Sequence, residues 1–167
     1  MLNKNDLRYL KTEKLIKETY FILKKNNNYP IKVNELCKKA LINKSTFYAH
    51  YETIDALHLH LCEELIEKIM DESLSIDCFL TNIRAFVISI IETLQVNFPL
   101  IQKMFGNDKI QLVSCIENYL LKHYSRVEKI KEKEIIFTIG GASHLLMYDQ
   151  SKEAIETAIL FIKKIIL

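Results

Sequence analysis

The sequence predicts an all-α protein. Three glycines and two prolines in 167 residues leave little of the punctuation that many short strands require. Apolar residues recur at helical spacing in the successive segments described below. With 49% hydrophobic and 26% charged residues, the chain resembles folded proteins and not disordered ones. Its length suits one large domain or a small head on a larger body, and we expect a head of residues 1–52 and a body of residues 53–167.

The first predicted helix covers residues 7–25. Ile16, Thr19, Tyr20 and Leu23 form its core stripe, and lysines occupy much of the remaining surface. The asparagine run that precedes Pro30 is expected to end the helix, because asparagine tolerates the left-handed conformation and proline disfavours helix in its neighbour.

Two short helices joined by a tight turn are predicted between Val33 and Tyr51. In the first, apolar or small residues fall at i, i+3, i+4 and i+7, which is one face of a helix. Asn43 is expected to cap the second helix with its side-chain oxygen, and Phe47 and Tyr51 to anchor it in the core. A polar face would then remain exposed, as in the helix-turn-helix that enters the DNA major groove. An ordinary helical hairpin within a bundle is the alternative.

The segment KKALINKSTFYAHYETIDAL, residues 38–57, resembles the recognition segment of TetR/AcrR-type transcriptional regulators. The resemblance covers about residues 11–61. It implies a three-helix DNA-binding head, a connecting helix, and a helical body that binds ligand and dimerises. Leu41 stands where the family usually has glycine, and Lys32 where it usually has threonine. A positive φ at Leu41 would strain the turn by roughly 1 kcal/mol, and Lys32 cannot cap a helix as threonine does.

Seven residues are predicted to contact double-stranded DNA. The two lysines supply charge toward phosphates or a guanine edge. Tyr48 and His50 match family positions that hydrogen-bond the DNA backbone, with packing beneath the next helix as the alternative. The full set is Lys32, Asn43, Lys44, Ser45, Thr46, Tyr48 and His50.

Charge is distributed unevenly between the two predicted parts. Residues 1–57 contain 11 Lys/Arg and 6 Asp/Glu, a net charge of +5, whereas residues 58–167 contain 12 and 15, a net charge of −3. A basic head on a mildly acidic body is typical of a nucleic-acid-binding module fused to another module.

The missing arginines predict which DNA is bound. No arginine lies between Arg8 and Arg84, so the commonest bidentate guanine contact cannot come from the second helix of the pair. Arg8 and Lys4 are placed to follow a narrow A·T minor groove. We therefore expect the DNA partner to be an A·T-rich inverted repeat.

The predicted body begins with a connecting helix over residues 54–74. A break at Ser75–Asp77 and an apolar helix over residues 77–97, which includes Phe79, follow it. Pro99 opens a short helix that Gly106-Asn107 stops. The remaining helices are expected over residues 108–124, 132–148 and 151–166, with the charge run 126–134 as a solvated connection and helix start.

The last two helices resemble the paired C-terminal helices through which TetR-type proteins dimerise. The segment FTIGGASHLLM, residues 137–147, places two adjacent glycines inside a helix, and each costs roughly 1 kcal/mol against alanine. Close approach of another helix would explain them. We therefore predict a homodimer interface at Gly140, Gly141, Ile155, Ile159 and Ile162. Closure of a monomeric bundle is the alternative.

An unknown small-molecule effector is the third expected partner. The resemblance implies an apolar pocket among helices five to eight. Arg84 is a candidate for holding an anionic ligand group, with a surface position as the alternative. The full set of candidates is Arg84, Met104, Phe105, Tyr119, His123 and His144.

Several classes of protein are disfavoured. The sequence has no glycine-rich phosphate loop, no G-x-S-x-G and no H-E-x-x-H, so we expect neither an enzyme nor a cofactor. The four cysteines form no C-x-x-C pair, and we expect no metal and reduced, mostly buried thiols. The polar start and the absence of a long apolar run predict a cytoplasmic protein without a membrane partner.

The function that the sequence predicts is a homodimeric, sequence-specific DNA-binding transcriptional regulator, a repressor released by its effector. The alternative is an all-α protein-interaction or structural protein whose helical hairpin does not bind DNA.

Overall fold

The protein is all-α, as predicted. The computed structural model describes residues 6–26, 30–72, 81–124 and 132–166, which form nine α-helices and no strand. The chain divides into two compact units, residues 1–61 and 62–167. The division falls within the helix that we predicted to connect head and body, and the boundary at residues 52/53 stays a prediction.

The first unit contains three complete helices and the start of a fourth. They are α1 (Leu7–Asn26), α2 (Val33–Ala40), α3 (Lys44–His50) and α4 (Ile54–Asp71). The predicted stripe of α1 is confirmed, because its four residues are all buried. The core of the unit also contains Leu36, Phe47 and Leu57, each with no exposed surface.

The second unit contains the rest of α4 and five further helices. They are α5 (Ile83–Val96), α6 (Phe98–Phe105), α7 (Lys109–Tyr124), α8 (Glu132–Tyr148) and α9 (Lys152–Ile166). Helix α8 packs against α7 and α9, and α9 also packs against α5. The buried face of α9 consists of Ala154, Ala158, Ile159 and Ile162.

Local signals set most helix ends in this unit. Pro99 lies in the first turn of α6, where a missing backbone N–H costs nothing. Gly106 ends α6 with a φ of 56°, a value that glycine adopts without strain. The Ser151 hydroxyl accepts a hydrogen bond from the Ala154 N–H at 3.2 Å and so caps α9.

The predicted start of the fifth helix at residue 77 lies outside the described residues. Helix α5 begins at Ile83, because the Asn82 side chain accepts a hydrogen bond from the Ala85 N–H and caps it there. The predicted break at Ser75–Asp77 lies outside the described residues, as do Cys78 and Phe79. Of the charge run 126–134, residues 126–131 lie outside them too, and the helix start falls at Glu132.

The cysteine thiols that the structure describes lie in the interior of the protein. Cys37, Cys62 and Cys115 are buried, and burial raises the pKa of the Cys115 thiol to about 12. No single helix in the described part of the chain is long and apolar enough to cross a membrane. Helices α5 and α6 together reach the necessary length and composition, but they are bent by 71°.

Candidate nucleic-acid interface and ligand cavity

Helices α2 and α3 pack through one buried face and are separated by a strained turn. The face consists of Leu36, Cys37 and Ala40 from α2, together with Phe47 from α3. Leu41 follows α2 with φ 54° and ψ 39°. It is the one non-glycine residue with positive φ among those described. Leu41, which stands where the family usually has glycine, therefore adopts the positive φ that strains an L-residue.

The opposite side of α3 is polar and exposed. We call it the α3 face, and it consists of Asn43, Lys44, Ser45, Tyr48 and Ala49. Tyr48 is 54% exposed and meets the buried Phe47 ring edge-on. Thr46 is half-buried. The buried ring of Phe47 thus fixes the helix, and the polar side chains of the α3 face are left to the solvent.

The predicted capping role of Asn43 is wrong. Asn43 has the extended backbone of an N-cap residue, but its side chain makes no capping hydrogen bond. Its side-chain oxygen therefore accepts no hydrogen bond from the backbone N–H groups of the first turn of α3. Asn43 therefore contributes an uncommitted amide to the exposed surface.

Lysines flank the α3 face on the neighbouring helix. Lys32 lies exposed at the N-cap of α2 and, as predicted, does not cap it through its side chain. Lys38 and Lys39 are exposed in the last turn of α2. Sequence reasoning did not assign these two to DNA, although they stand within the segment that carries the family resemblance. Lys44 lies close enough to Cys37 to oppose the rise that burial causes in the pKa of that thiol.

His50 packs instead of projecting from the surface. Its ring stacks on Tyr9 of α1 with the centroids 3.9 Å apart, and its Nδ1 is buried without a hydrogen-bond partner. Burial lowers the pKa of His50, and the negative charge of Glu13 opposes that shift.

Glu13 fixes the end of α3 against α1. Its carboxylate accepts a hydrogen bond from the Tyr51 hydroxyl at 3.0 Å and lies 3.3 Å from the Lys17 ammonium. Burial raises the pKa of Glu13, but the Tyr51 hydrogen bond and the Lys17 charge outweigh burial and lower it. Tyr51 is 8% exposed, so this contact holds the end of α3 in the core.

A cavity of about 350 Å³ lies within the second unit, among α5, α6, α7 and α8. Its inner wall consists of buried apolar residues, including Ile91, Ile101, Phe105, Leu112 and Ile116. The volume falls within the usual range of small-molecule sites, roughly 300–1,000 Å³.

One of the six predicted ligand residues, Phe105, lines this cavity. Arg84 is exposed and pairs with Glu156. Tyr119 donates a hydrogen bond to Asp71 at 2.8 Å and stacks on His123. Met104 is buried. His144 is exposed, and its Nδ1 lies 3.3 Å from the Gly140 carbonyl oxygen. Apart from Phe105, the residues of this set are not among the described lining of the cavity.

The residues predicted to form the dimer interface separate into inward and outward groups. Ile159 and Ile162 are 4% and 5% exposed, so their side chains already belong to the core of the unit. A Cβ at Gly140 would meet the end of the flexible Glu117 side chain of α7, which can shift, so this contact does not by itself require glycine. Gly141 faces open space and Ile155 is half-buried.

Other residues of the same two helices carry the exposed apolar surface. Phe137 is 74% exposed, Leu160 66% and Phe161 55%. Phe137, Gly141 and His144 share one side of α8 at helical spacing. We call the set Phe137, Gly141, His144, Leu160 and Phe161 the α8–α9 face. The dimer interface stays a prediction, and the sequence pattern could not tell the buried faces of these two helices from their exposed ones.

Metal ligands do not cluster in the described ranges, where no three His, Cys, Asp or Glu side chains come together. Comparison with known proteins adds no relative: no protein-family model, curated protein or solved structure matches the chain.

Proposed function

We propose that this protein is a homodimeric, sequence-specific DNA-binding regulator of the TetR type, and that it represses transcription until a small molecule releases it. The observation that carries the proposal is the α3 face. It presents an amide, an ammonium, two hydroxyls and a methyl group from a short helix whose other side is anchored by Phe47 and Tyr51.

Charge supports DNA as the partner of this surface. Lys32, Lys38 and Lys39 are exposed on α2 and Lys44 is exposed on α3. Such lysines release condensed counterions when they meet phosphates, which gives affinity without sequence information. The groups that distinguish bases would be Asn43, Ser45 and Thr46, since amides and hydroxyls pair with base edges.

Assembly as a dimer is supported by the α8–α9 face. Exposed aromatic and aliphatic side chains on two neighbouring helices favour an interface in which the same surface of each copy meets the other. A two-fold dimer would present two α3 faces to two half-sites, and the operator would then be an inverted repeat.

One observation favours the alternative of a protein-interaction module. Helix α1 exposes Leu7, Leu10, Leu15 and Ile22 at between 40% and 64%. A partner that covered these residues would be bound mainly by apolar contact, and its affinity would depend weakly on salt. Salt dependence therefore separates the two candidate functions.

The test is a gel-shift titration of the full chain on the DNA upstream of its own gene, over a range of salt concentrations. Wild type is compared with Lys32→Gln and with a matched control, Lys164→Gln, which removes an exposed lysine from α9. We expect Lys32→Gln to weaken binding to all sequences alike and to reduce the salt slope by about 0.9. The control should match wild type.

Two results would count against DNA as the partner. One is an equal reduction of the salt slope in Lys32→Gln and in the Lys164→Gln control, because general attraction between the lysines and the DNA would then explain the binding without the proposed surface. The other is the absence of any complex at low salt, where phosphate contacts are strongest.

A further inference from the structure

The inner surface of the cavity in the second unit excludes charge. Ile91, Ile101, Phe105, Leu112 and Ile116 are each at most 9% exposed and form a continuous apolar wall. An ion placed against them would lose its water without gaining a partner, which costs far more than any contact returns. A hydrocarbon group would gain by entering the same space.

Charged side chains at the rim are already engaged. The Lys109 ammonium donates to the Met147 carbonyl at 3.3 Å and lies 4.3 Å from the centre of the Tyr148 ring. The Asp108 carboxylate accepts a hydrogen bond from the Gln111 N–H at 2.9 Å and so caps α7. Asp108 and Lys109 are the charged residues in the described lining, and their formal charges sum to zero.

The remaining polar groups are neutral. The Gln95 amide donates to the Gln150 carbonyl oxygen at 2.9 Å across the rim. Farther in, Ser143 lines both this cavity and a second cleft of about 60 Å³, whose other lining residues are apolar. Ile90, Ile116 and Leu146 also line both spaces. The two spaces are therefore adjacent, and the Ser143 hydroxyl is a polar group that lines both.

We propose that this cavity binds an uncharged amphiphile, a medium-length hydrocarbon chain that ends in a single hydroxyl or amide group. The chain lies against the apolar wall, and its polar end exchanges hydrogen bonds with Ser143 or with the rim amides. The role of this ligand as effector rests on the proposed function, whereas its binding does not.

The test is calorimetric titration of the full chain, without DNA, with three probes of equal chain length: decanol, decanoate and decylammonium. All are kept below the concentrations at which they aggregate. We expect decanol to bind at least about tenfold more tightly than either ion, because each ion must be desolvated without a free partner. Each methylene removed from the alcohol should lower affinity about three- to fourfold.

Two substitutions locate the site. Leu146→Trp places a bulky ring in the lining of both spaces and should abolish decanol binding. Leu100→Trp adds the same ring to α6 at a residue that is 51% exposed and outside the described lining, and it should bind decanol as wild type does. Ser143→Ala should lower affinity about three- to tenfold, the usual effect of one hydrogen bond. Thermal unfolding of each variant shows whether it has folded.

Several results would overturn the proposal. They are decanoate or decylammonium binding as tightly as decanol, no detectable decanol binding by wild type, and unchanged decanol binding by a folded Leu146→Trp. Decanol that binds here without releasing DNA supports the ligand class and counts against the effector role alone. Failure of the wild-type protein to bind DNA counts against the proposed function and leaves the ligand class of the cavity unaffected.

Discussion

Leu41 shows what a single residue contributes to the turn between α2 and α3. Its φ of 54° lies in the left-handed region, which costs an L-residue roughly 1–2 kcal/mol. Its side chain is 92% exposed and so recovers almost nothing by packing. The turn is therefore held by the buried face on either side of it, and the strain at Leu41 is tolerated there.

Leu41→Gly should stabilise the protein. Removing the Cβ relieves the strain, and the greater freedom of glycine in the unfolded chain offsets part of that gain, which leaves about 0.5–1 kcal/mol. Denaturant titration measures the free energy of unfolding. Leu41→Ala is the matched control, since it keeps the Cβ and should remain near wild type. A glycine variant no more stable than the alanine variant would show that the turn is unstrained.

His50 should make the protein less stable at acidic pH. Burial lowers the pKa of His50 in the folded state below its ordinary value of 6.5. As the pH falls below 6.5, His50 is protonated in the unfolded state before it is protonated in the folded state. The stability that neutral His50 contributes is therefore lost as the pH falls from 6.5 toward the lowered pKa of the folded state. His50→Phe keeps a ring against Tyr9 and cannot titrate. Its free energy of unfolding should therefore decline less on acidification than that of wild type.

The control for this measurement is His123→Phe, which removes an exposed histidine from α7 and keeps a ring against Tyr119. It should follow the wild-type pH profile. Equal acid sensitivity of wild type and His50→Phe would show that the buried ring of His50 does not set the profile.

At the scale of helices, the sequence located elements better than it oriented them. Pro99 is a local signal for a helix start and Gly106 for a helix end, and the structure places the two ends of α6 beside them. Helix α9 is different, because apolar residues occur on more than one of its sides. Periodicity alone could not show that Ile159 and Ile162 face inward while Leu160 and Phe161 face outward.

Leu160→Lys should convert a dimer into a monomer. In the proposed assembly, Leu160 lies on the α8–α9 face, and an unpaired ammonium buried there would cost more than the interface gains. Sedimentation or light scattering gives the mass of the species in solution. The matched control is Leu100→Lys, which introduces the same charge at a comparably exposed leucine of α6 outside that face.

Gly141→Leu supplies an independent test of the same face. A Cβ at Gly141 meets nothing within 4 Å in the folded chain, so the substitution should leave the fold intact and disturb only a neighbouring copy. Wild type that sediments as a monomer at micromolar concentration would remove the dimer, and with it the expectation of an inverted repeat.

At the scale of the whole molecule, composition was sufficient to predict the class and insufficient to predict the site. Few glycines and prolines and a helical apolar period gave an all-α chain. The α3 face could be predicted from the sequence. In a short helix, the residues that anchor it in the core determine which side is exposed. The cavity lining could not, because it depends on how residues distant in sequence, such as Ile90 and Met147, come together.

The central claim is that the α3 face recognises DNA, and the most direct measurement is selection from a pool of random duplex DNA by the full chain. The account predicts enrichment of an A·T-rich inverted repeat whose half-site centres lie about one helical turn apart. A variant with Lys44, Ser45 and Tyr48 replaced by alanine should not enrich it. Enrichment of no sequence, or of the same sequence by that variant, would contradict the claim, and G·C-rich half-sites would contradict the argument from missing arginine.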